Sequence, residues 1–271
     1  MHPHEPYRLA VANQKGGVGK STLTLNVAGA LASVGHDVLV VDMDPNGHLT
    51  VALEYKDRYT DTERPSLYTA LTGDFNESSD LVVSCTEFDF IPSNIQLFGL
   101  ERELISMRQG EFQLRKTIDT LVANDPTAYD FIIVDSPPSL GLLTDNAIVA
   151  TERIIVPVGA DETSTHALEL LVNQVDVLED TYDVNIEHWG IVIMNVVHPP
   201  DGEERTMIEW FHDTFDDSIG VYEIRKRVKI NRAWNNAVSL LEHDESDWME
   251  DNLYEIANDL AADAVEVAHA N

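Results

Sequence analysis

The chain has 271 residues, of which 17 are basic and 48 acidic, for a formal charge of −31, and 44% of its residues are apolar. That apolar content, arranged in strand-like and helix-like runs, excludes a disordered polyelectrolyte. The length suits one large α/β domain spanning residues 1–271, with no Pro/Ser/Gly-rich linker to divide it. A single cysteine, Cys85, excludes disulfides, Cys-based zinc sites and bridging iron–sulfur clusters, and no apolar run approaches the roughly 18 residues of a membrane span.

In chain order, "MHPHEP" carries His2 and His4, which read as a frayed terminus and not as a metal site. "YRLAVAN" (Tyr7 to Asn13) is a short apolar strand that runs into the Gly-rich loop "NQKGGVGKST" (Asn13 to Thr22). A helix-period segment with Gly35 as its stop follows. "DVLVVDMD" (Asp37 to Asp44), "FDFIPS" (Phe88 to Ser93), "YDFIIVDSPP" (Tyr129 to Pro138), "ERIIVPV" (Glu152 to Val158) and "WGIVIMN" (Trp189 to Asn195) are further β-branched runs, most of them separated by helix-period segments. Runs apolar on both faces and separated by helices predict a mostly parallel, twisted sheet covered on both sides, with any ligand beyond the carboxyl ends of the strands. Asn13, Asp42, Asp135 and Asn195 stand at those ends. Val51 to Ser84 reads as loops and short helices.

The loop carries the chemistry. The phosphate-loop pattern is Gly, four residues, Gly-Lys-Ser/Thr. Gly19, Lys20 and Ser21 complete it, Gln14 stands where its first glycine belongs, and a second lysine, Lys15, precedes Gly16 and Gly17. Backbone N–H groups from Lys15, Gly16, Gly17, Val18, Gly19 and on to Thr22 suit phosphate oxygens at a helix N-terminus. Lys20 then meets the β- and γ-phosphates, and Ser21 meets Mg²⁺. The cofactors expected are therefore ATP and Mg²⁺. Asp44 is the candidate to hold the attacking water, Asp42 to support Ser21 and the metal, Asp135 to meet the metal through water, and Asn195 to face the adenine edge. The competing readings are a ligand-free glycine turn, an acidic turn at "DPNG", a capping aspartate at Asp135 and a turn asparagine at Asn195.

With these stretches in order, the sequence resembles the ParA/MinD superfamily of deviant Walker-A ATPases, and most closely its ParA/Soj chromosome and plasmid partition branch. "KGGVGKST", "DMDPNG", "FDFIPSNIQLFGLERELI", "FIIVDSPPSLG" and "VPVGADETSTHALELL" carry the likeness. The resemblance implies a P-loop fold and Mg-dependent ATP hydrolysis, slow without an adaptor, with Lys15, Lys20, Asp44 and Asp135 as the catalytic set. It implies that Lys15 reaches across an ATP-sandwich homodimer to the partner's phosphates, while Gly16 and Gly17 keep the facing surfaces close. It further implies non-specific DNA as a partner, a ParB-like adaptor that triggers hydrolysis, and a cytoplasmic, nucleoid-associated location in the ATP state.

The charge sets a tension with DNA. An acidic skin of this size predicts adaptation to molar salt, where the Debye length is about 3 Å. The candidate phosphate-binding strip is "IRKRVKINR" (Ile224 to Arg232), where Arg225, Lys226, Arg227, Lys229 and Arg232 fall within eight positions. A basic segment paired with neighbouring acidic surface is the competing reading. No Lys or Arg follows Arg232, so a C-terminal basic membrane-targeting helix of the MinD kind is not expected, and no membrane partner with it. Six residues before Tyr7 leave no room for a helix-turn-helix extension. The alternatives are a MinD-like regulator of cell division and a nucleotide-locked scaffold dimer that does not hydrolyse ATP.

Overall fold

A computed structural model describes residues 5–73, 81–243 and 249–270. His2 and His4 lie outside the described residues, as does part of the stretch read as loops and short helices. Eight strands are present: β1 (Tyr7–Val11), β2 (Val38–Asp42), β3 (Val83–Ser84), β4 (Asp89–Ile91), β5 (Phe131–Asp135), β6 (Arg153–Gly159), β7 (Glu187–Val196) and β8 (Gly220–Arg225). They form one sheet in the order β3-β4-β2-β5-β1-β6-β7-β8. Every pairing is parallel except the short β3–β4 edge.

The sheet is buried on both faces, as its unbroken apolar runs require. All five residues of β2 and all five of β5 are buried. Successive side chains go to opposite faces, so Leu39 and Val41 join one core while Val38 and Val40 join the other. The first core is closed by helices Leu97–Ser106, Gln113–Asn124, Leu142–Thr151 and Glu162–Tyr182. The second is closed by helix Lys20–Ser33 and the last helix, Met249–Ala270. Helix Lys20–Ser33 is buried nearly all round because it is sandwiched between the sheet and that last helix. Its Gly29 is pressed so close to Ser239 and Glu87 that a Cβ would overlap the serine hydroxyl.

Strand β1 is the centre of the sheet, with β5 on one side and β6 on the other. This is where the chain order reverses, the place at which an open α/β sheet leaves a crevice beyond its strand ends. The register brings Asp135 level with Val11 on one side and with Asp42 on the other.

Two strands were not foreseen. The β3 pair is too short to leave a periodic signal. Strand β8, "GVYEIR", is a half-buried edge strand whose alternation is mixed with Glu223 and Arg225, and it takes in the first two residues of the basic segment. The stretch after β2 forms short helices His48–Ala52, Lys56–Thr60 and Leu67–Thr72, as expected. Among the described residues no helix is long and apolar enough to cross a membrane.

Candidate functional site

The Gly-rich loop leaves β1 and enters helix Lys20–Ser33 through Gly19, which caps the helix in the left-handed region (φ 106°). An L side chain is strained there, and the space is also taken: Met194 of β7 lies 3.0 Å from where a Cβ would stand. The start of the loop is anchored by Asn13, which is buried. Its amide donates to the Pro157 carbonyl at 2.7 Å, and its Oδ1 accepts from the Lys15 N–H at 2.9 Å. The Lys20 side chain is buried, and its ammonium donates to the Lys15 carbonyl at 3.2 Å. Burial lowers its pKa, while Asp135 and Asp44 work in the opposite direction.

Two carboxylates, Asp135 and Asp44, act on that ammonium, and a third, Asp42, lies beside Asp135. Asp135 and Asp42 are completely buried and Asp44 nearly so. Burial, and then the facing Asp42, raise the Asp135 carboxyl well above the usual range; the Ser21 hydroxyl and Lys20 pull it down. Thr24 donates to Asp135 Oδ1 at 3.3 Å, and Oδ2 is buried without a hydrogen-bond partner. Burial pushes Asp42 up to about 7, even though Thr50 and the Asp44 backbone donate to it. Asp44 Oδ1 accepts from the Asn46 N–H at 2.9 Å and from its side-chain amide at 2.8 Å. The structure thus gathers Lys20, Ser21, Asp42, Asp44 and Asp135 at adjoining strand ends. Asp42 accepts from the Thr50 N–H and hydroxyl and from the Asp44 N–H.

Lys15 has a binding site of its own. Its ammonium lies 2.8 Å and 2.7 Å from the two carboxylate oxygens of Asp161, 2.7 Å from Thr163 Oγ1 and 3.3 Å from Ser164 Oγ. Burial works to raise the Asp161 carboxyl, but Lys15 and Thr163 more than reverse this and bring it to about 2. Asp161 also caps helix Glu162–Tyr182, accepting from the Ser164 N–H at 3.1 Å. The sequence reading gave none of these three partners a role. An aspartate directly before the helix-period run, a favoured N-cap residue, was the available signal for Asp161.

The remaining candidates are less gathered. Asn195 is exposed and left-handed (φ 61°), at the point where the β7–β8 register shifts, and its neighbour Met194 packs under Gly19. The basic strip is not one continuous face. Arg225 ends β8, Arg227 precedes helix Val228–Asn235, and both are half-buried with Lys229; Lys226 and Arg232 are exposed. Arg225, Arg227 and Lys229 each have an interaction partner. A cavity of about 1030 Å³ lies away from the loop, between helices Glu162–Tyr182 and Gly202–Phe215, with Leu168, Ile191 and Trp210 in its lining.

The strand-end residues fit Mg²⁺ and a polyphosphate. Three buried carboxyl groups cluster beside one buried ammonium, and Asp135 Oδ2 is buried without a hydrogen-bond partner. Among the described residues no group of three or more His, Cys, Asp or Glu side chains forms a metal cage. Mg²⁺ asks for none, since it keeps waters and phosphate oxygens among its ligands.

An AAA-domain family model matches residues 7–188. The sporulation initiation inhibitor protein Soj of Bacillus subtilis is 30% identical over 255 residues, which are 94% of this chain and 98% of Soj. The chain belongs to the ParA/Soj family of P-loop ATPases. The chromosome partitioning protein ParA of Myxococcus xanthus is 35% identical over 189 residues, 68% of this chain and 63% of that one. Cyanothece McdA, in a variant crystallised with ATP, has the same fold at a TM-score of 0.82, with 21% identity over 95% of this chain and 97% of McdA. The loop, the paired strand-end aspartates and the helix capped by Asp161 all lie within residues 7–188, the region that the AAA-domain model matches.

Proposed function

We propose that this ParA/Soj-type chain is a single-domain, Mg²⁺-dependent ATPase that closes as an ATP-sandwich dimer, binds DNA without sequence preference and positions a chromosome, plasmid or other cargo. The observation that carries the reading is the buried Lys20 ammonium beside Asp44 and Asp135, with Asp42 next to Asp135, at the mouth of the Gly-rich loop.

Mg²⁺, when bound, would stabilise the negative charge of the phosphates. Lys20 neutralises phosphate charge from a desolvated position, where an ammonium acts most strongly. Ser21 and Asp135 would hold the metal, Ser21 through its hydroxyl and Asp135 through a water. Asp44 orients the attacking water, with one carboxylate oxygen fixed by Asn46. Asn195 meets the adenine edge. Lys15 is held by Asp161 within its own chain, and it leaves that carboxylate to meet the phosphates of a second subunit. The basic residues from Arg225 to Arg232 contact DNA phosphates, a ParB-like adaptor accelerates hydrolysis, and the acidic surface suits a high-salt interior.

The test is ATP turnover and binding to non-specific duplex DNA in about 2 M KCl, a regime of strong screening, with no nucleotide, ADP or ATP. The expected result is Mg²⁺-dependent turnover and DNA binding in ATP alone. Tight ATP binding and dimerisation with neither turnover nor DNA binding would favour a nucleotide-locked scaffold instead.

A further inference from the structure

The carboxylate of Asp44 hangs from a loop, yet its backbone is fixed from two sides by residues outside the loop. The Thr50 N–H and hydroxyl donate to Asp42 Oδ2 at 3.0 Å and 2.6 Å. The same hydroxyl accepts from the Ser93 N–H at 2.8 Å. Ser93 Oγ donates to the Asp44 carbonyl at 2.6 Å, and the Asp44 N–H donates to Asp42 Oδ1 at 3.1 Å. These five bonds close a ring through Asp42, Thr50, Ser93 and Asp44. Thr50 and Ser93 are fully buried and Asp44 is 5% exposed.

The ring joins three separate segments: the end of β2, helix His48–Ala52 and the loop after β4. Asp42 is anchored in the sheet beside Asp135, so the ring ties the Asp44 backbone to a rigid strand. A second support lies outside it. Tyr59 donates to the Pro45 carbonyl at 2.8 Å, and its ring packs 2.6 Å from where a Cβ of Gly47 would stand. The loop after β4 is fastened to the same region, since the Asn94 amide donates to the carbonyls of Arg58 and Asp61.

We propose that Thr50 and Ser93 are positioning residues for hydrolysis: through this ring they set the reach of Asp44 to the attacking water without touching nucleotide themselves. The proposal rests on the reading of the chain as an ATPase. A buried hydroxyl that both donates and accepts fixes geometry in two directions, and an orienting carboxylate acts only over a narrow range of positions. Misplacement by about 1 Å costs up to roughly 100-fold in rate. The phosphate loop is not part of the ring, so ATP affinity is expected to be independent of it.

The experiment compares the unmodified chain with Thr50→Val, Thr50→Ser, Ser93→Ala and the Thr50→Val/Ser93→Ala pair. The readouts are single-turnover hydrolysis at saturating Mg-ATP, ATP Kd from equilibrium binding, and thermal melting. The valine keeps the volume and the backbone bond to Asp42 but removes the hydroxyl bridge. Its turnover is expected to fall about 10- to 100-fold, with ATP Kd changed by less than about threefold. Thr50→Ser, which keeps the hydroxyl and folds if Thr50→Val does not, is expected to recover turnover to within about threefold. In the pair the losses are expected to fall short of the product of the single losses, because both act through one ring. Turnover by Thr50→Val or Ser93→Ala within threefold of the unmodified chain would overturn the proposal, as would a loss of turnover matched by an equal loss of ATP affinity. Absence of hydrolysis in the unmodified chain overturns the ATPase reading and this proposal together. Hydrolysis that is intact there and indifferent to Thr50 and Ser93 overturns this proposal alone.

Discussion

The two halves of the sheet treat charge in opposite ways. On the side of β1, β2 and β5, charged groups are taken out of water: Asp42, Asp44 and Asp135 are buried at or next to a strand end, and Lys20 is buried at the start of the helix that follows the loop. On the side of β7 and β8, the charges stay near solvent, with Lys226 and Arg232 exposed and Asn195 projecting from a register shift. A buried charge is retained only where its partners are fixed, so the first half demands closely specified neighbours such as Thr50, Ser93 and Asn46. The second half tolerates dispersion. That difference is what the proposed function asks for: a closely specified phosphate site on one side and a salt-tunable contact surface on the other.

The comparison is broken most directly at Lys20. Lys20→Ala leaves Asp44 and Asp135 without their ammonium, and ATP turnover is expected to fall by about 100-fold or more, measured by phosphate release. Comparable turnover in this variant would remove the buried half from the chemistry altogether.

The next largest effect is structural. Gly29 lies in helix Lys20–Ser33, against Ser239 and Glu87, and Glu87 accepts from the Ser239 N–H at 2.7 Å. Gly29→Ala forces those groups apart and is expected to destabilise the fold by about 1–3 kcal/mol, read by denaturant melts. Its helix propensity alone would give a gain of roughly 1 kcal/mol, so the sign of the change tests the close approach.

A smaller effect tests buried charge outside the site. Asp145, in helix Leu142–Thr151, accepts a hydrogen bond from Gln174 and is pushed up to about 6, mainly by burial, with Glu111 and Glu101 adding to it. A carboxyl raised in the folded state favours folding below its unfolded pKa and withdraws that contribution as pH climbs from about 4 to about 6. Asp145→Asn keeps an acceptor for Gln174. It is therefore expected to be more stable than the unmodified chain by on the order of 2 kcal/mol at pH 7–8 and equal to it near pH 3–4. Melting curves across that range check both ends.

The smallest effect at working salt sharpens the dispersed half. Changing Arg225, Arg227 and Lys229 to Gln is expected to lower the slope of log K against log salt for DNA by about 2–3, roughly 0.9 for each DNA phosphate that the variant leaves unneutralised, with ATP binding unchanged. An unaltered slope would move the DNA surface elsewhere on the molecule.

The sequence was most legible where function depends on consecutive residues. Gly19, Lys20 and Ser21 sit in one turn because backbone N–H groups and a helix start must follow a strand directly, and Asp42 and Asp135 were found because each ends an apolar run. The partners of those residues were not visible. Asp161 lies 146 positions from Lys15 and Ser93 lies 49 positions from Asp44, and a single hydrogen-bonding side chain leaves no periodic trace. The basic strip shows the converse: five charges that are neighbours in sequence are divided among a strand end, a turn and a helix.

The sequence by itself therefore determined the alternation of apolar strands and helices, the phosphate-type loop and the acidic strand ends, since these follow from local spacing and from the need to bury both faces of a parallel sheet. Tertiary structure alone decided that Asp42 and Asp135 face each other in register, that Lys15 rests on Asp161, and that Thr50 and Ser93 close a ring under Asp44. Those outcomes depend on strand order and on which segments meet at the centre of the sheet, and it is the packing of the whole chain that brings such distant groups within hydrogen-bonding range.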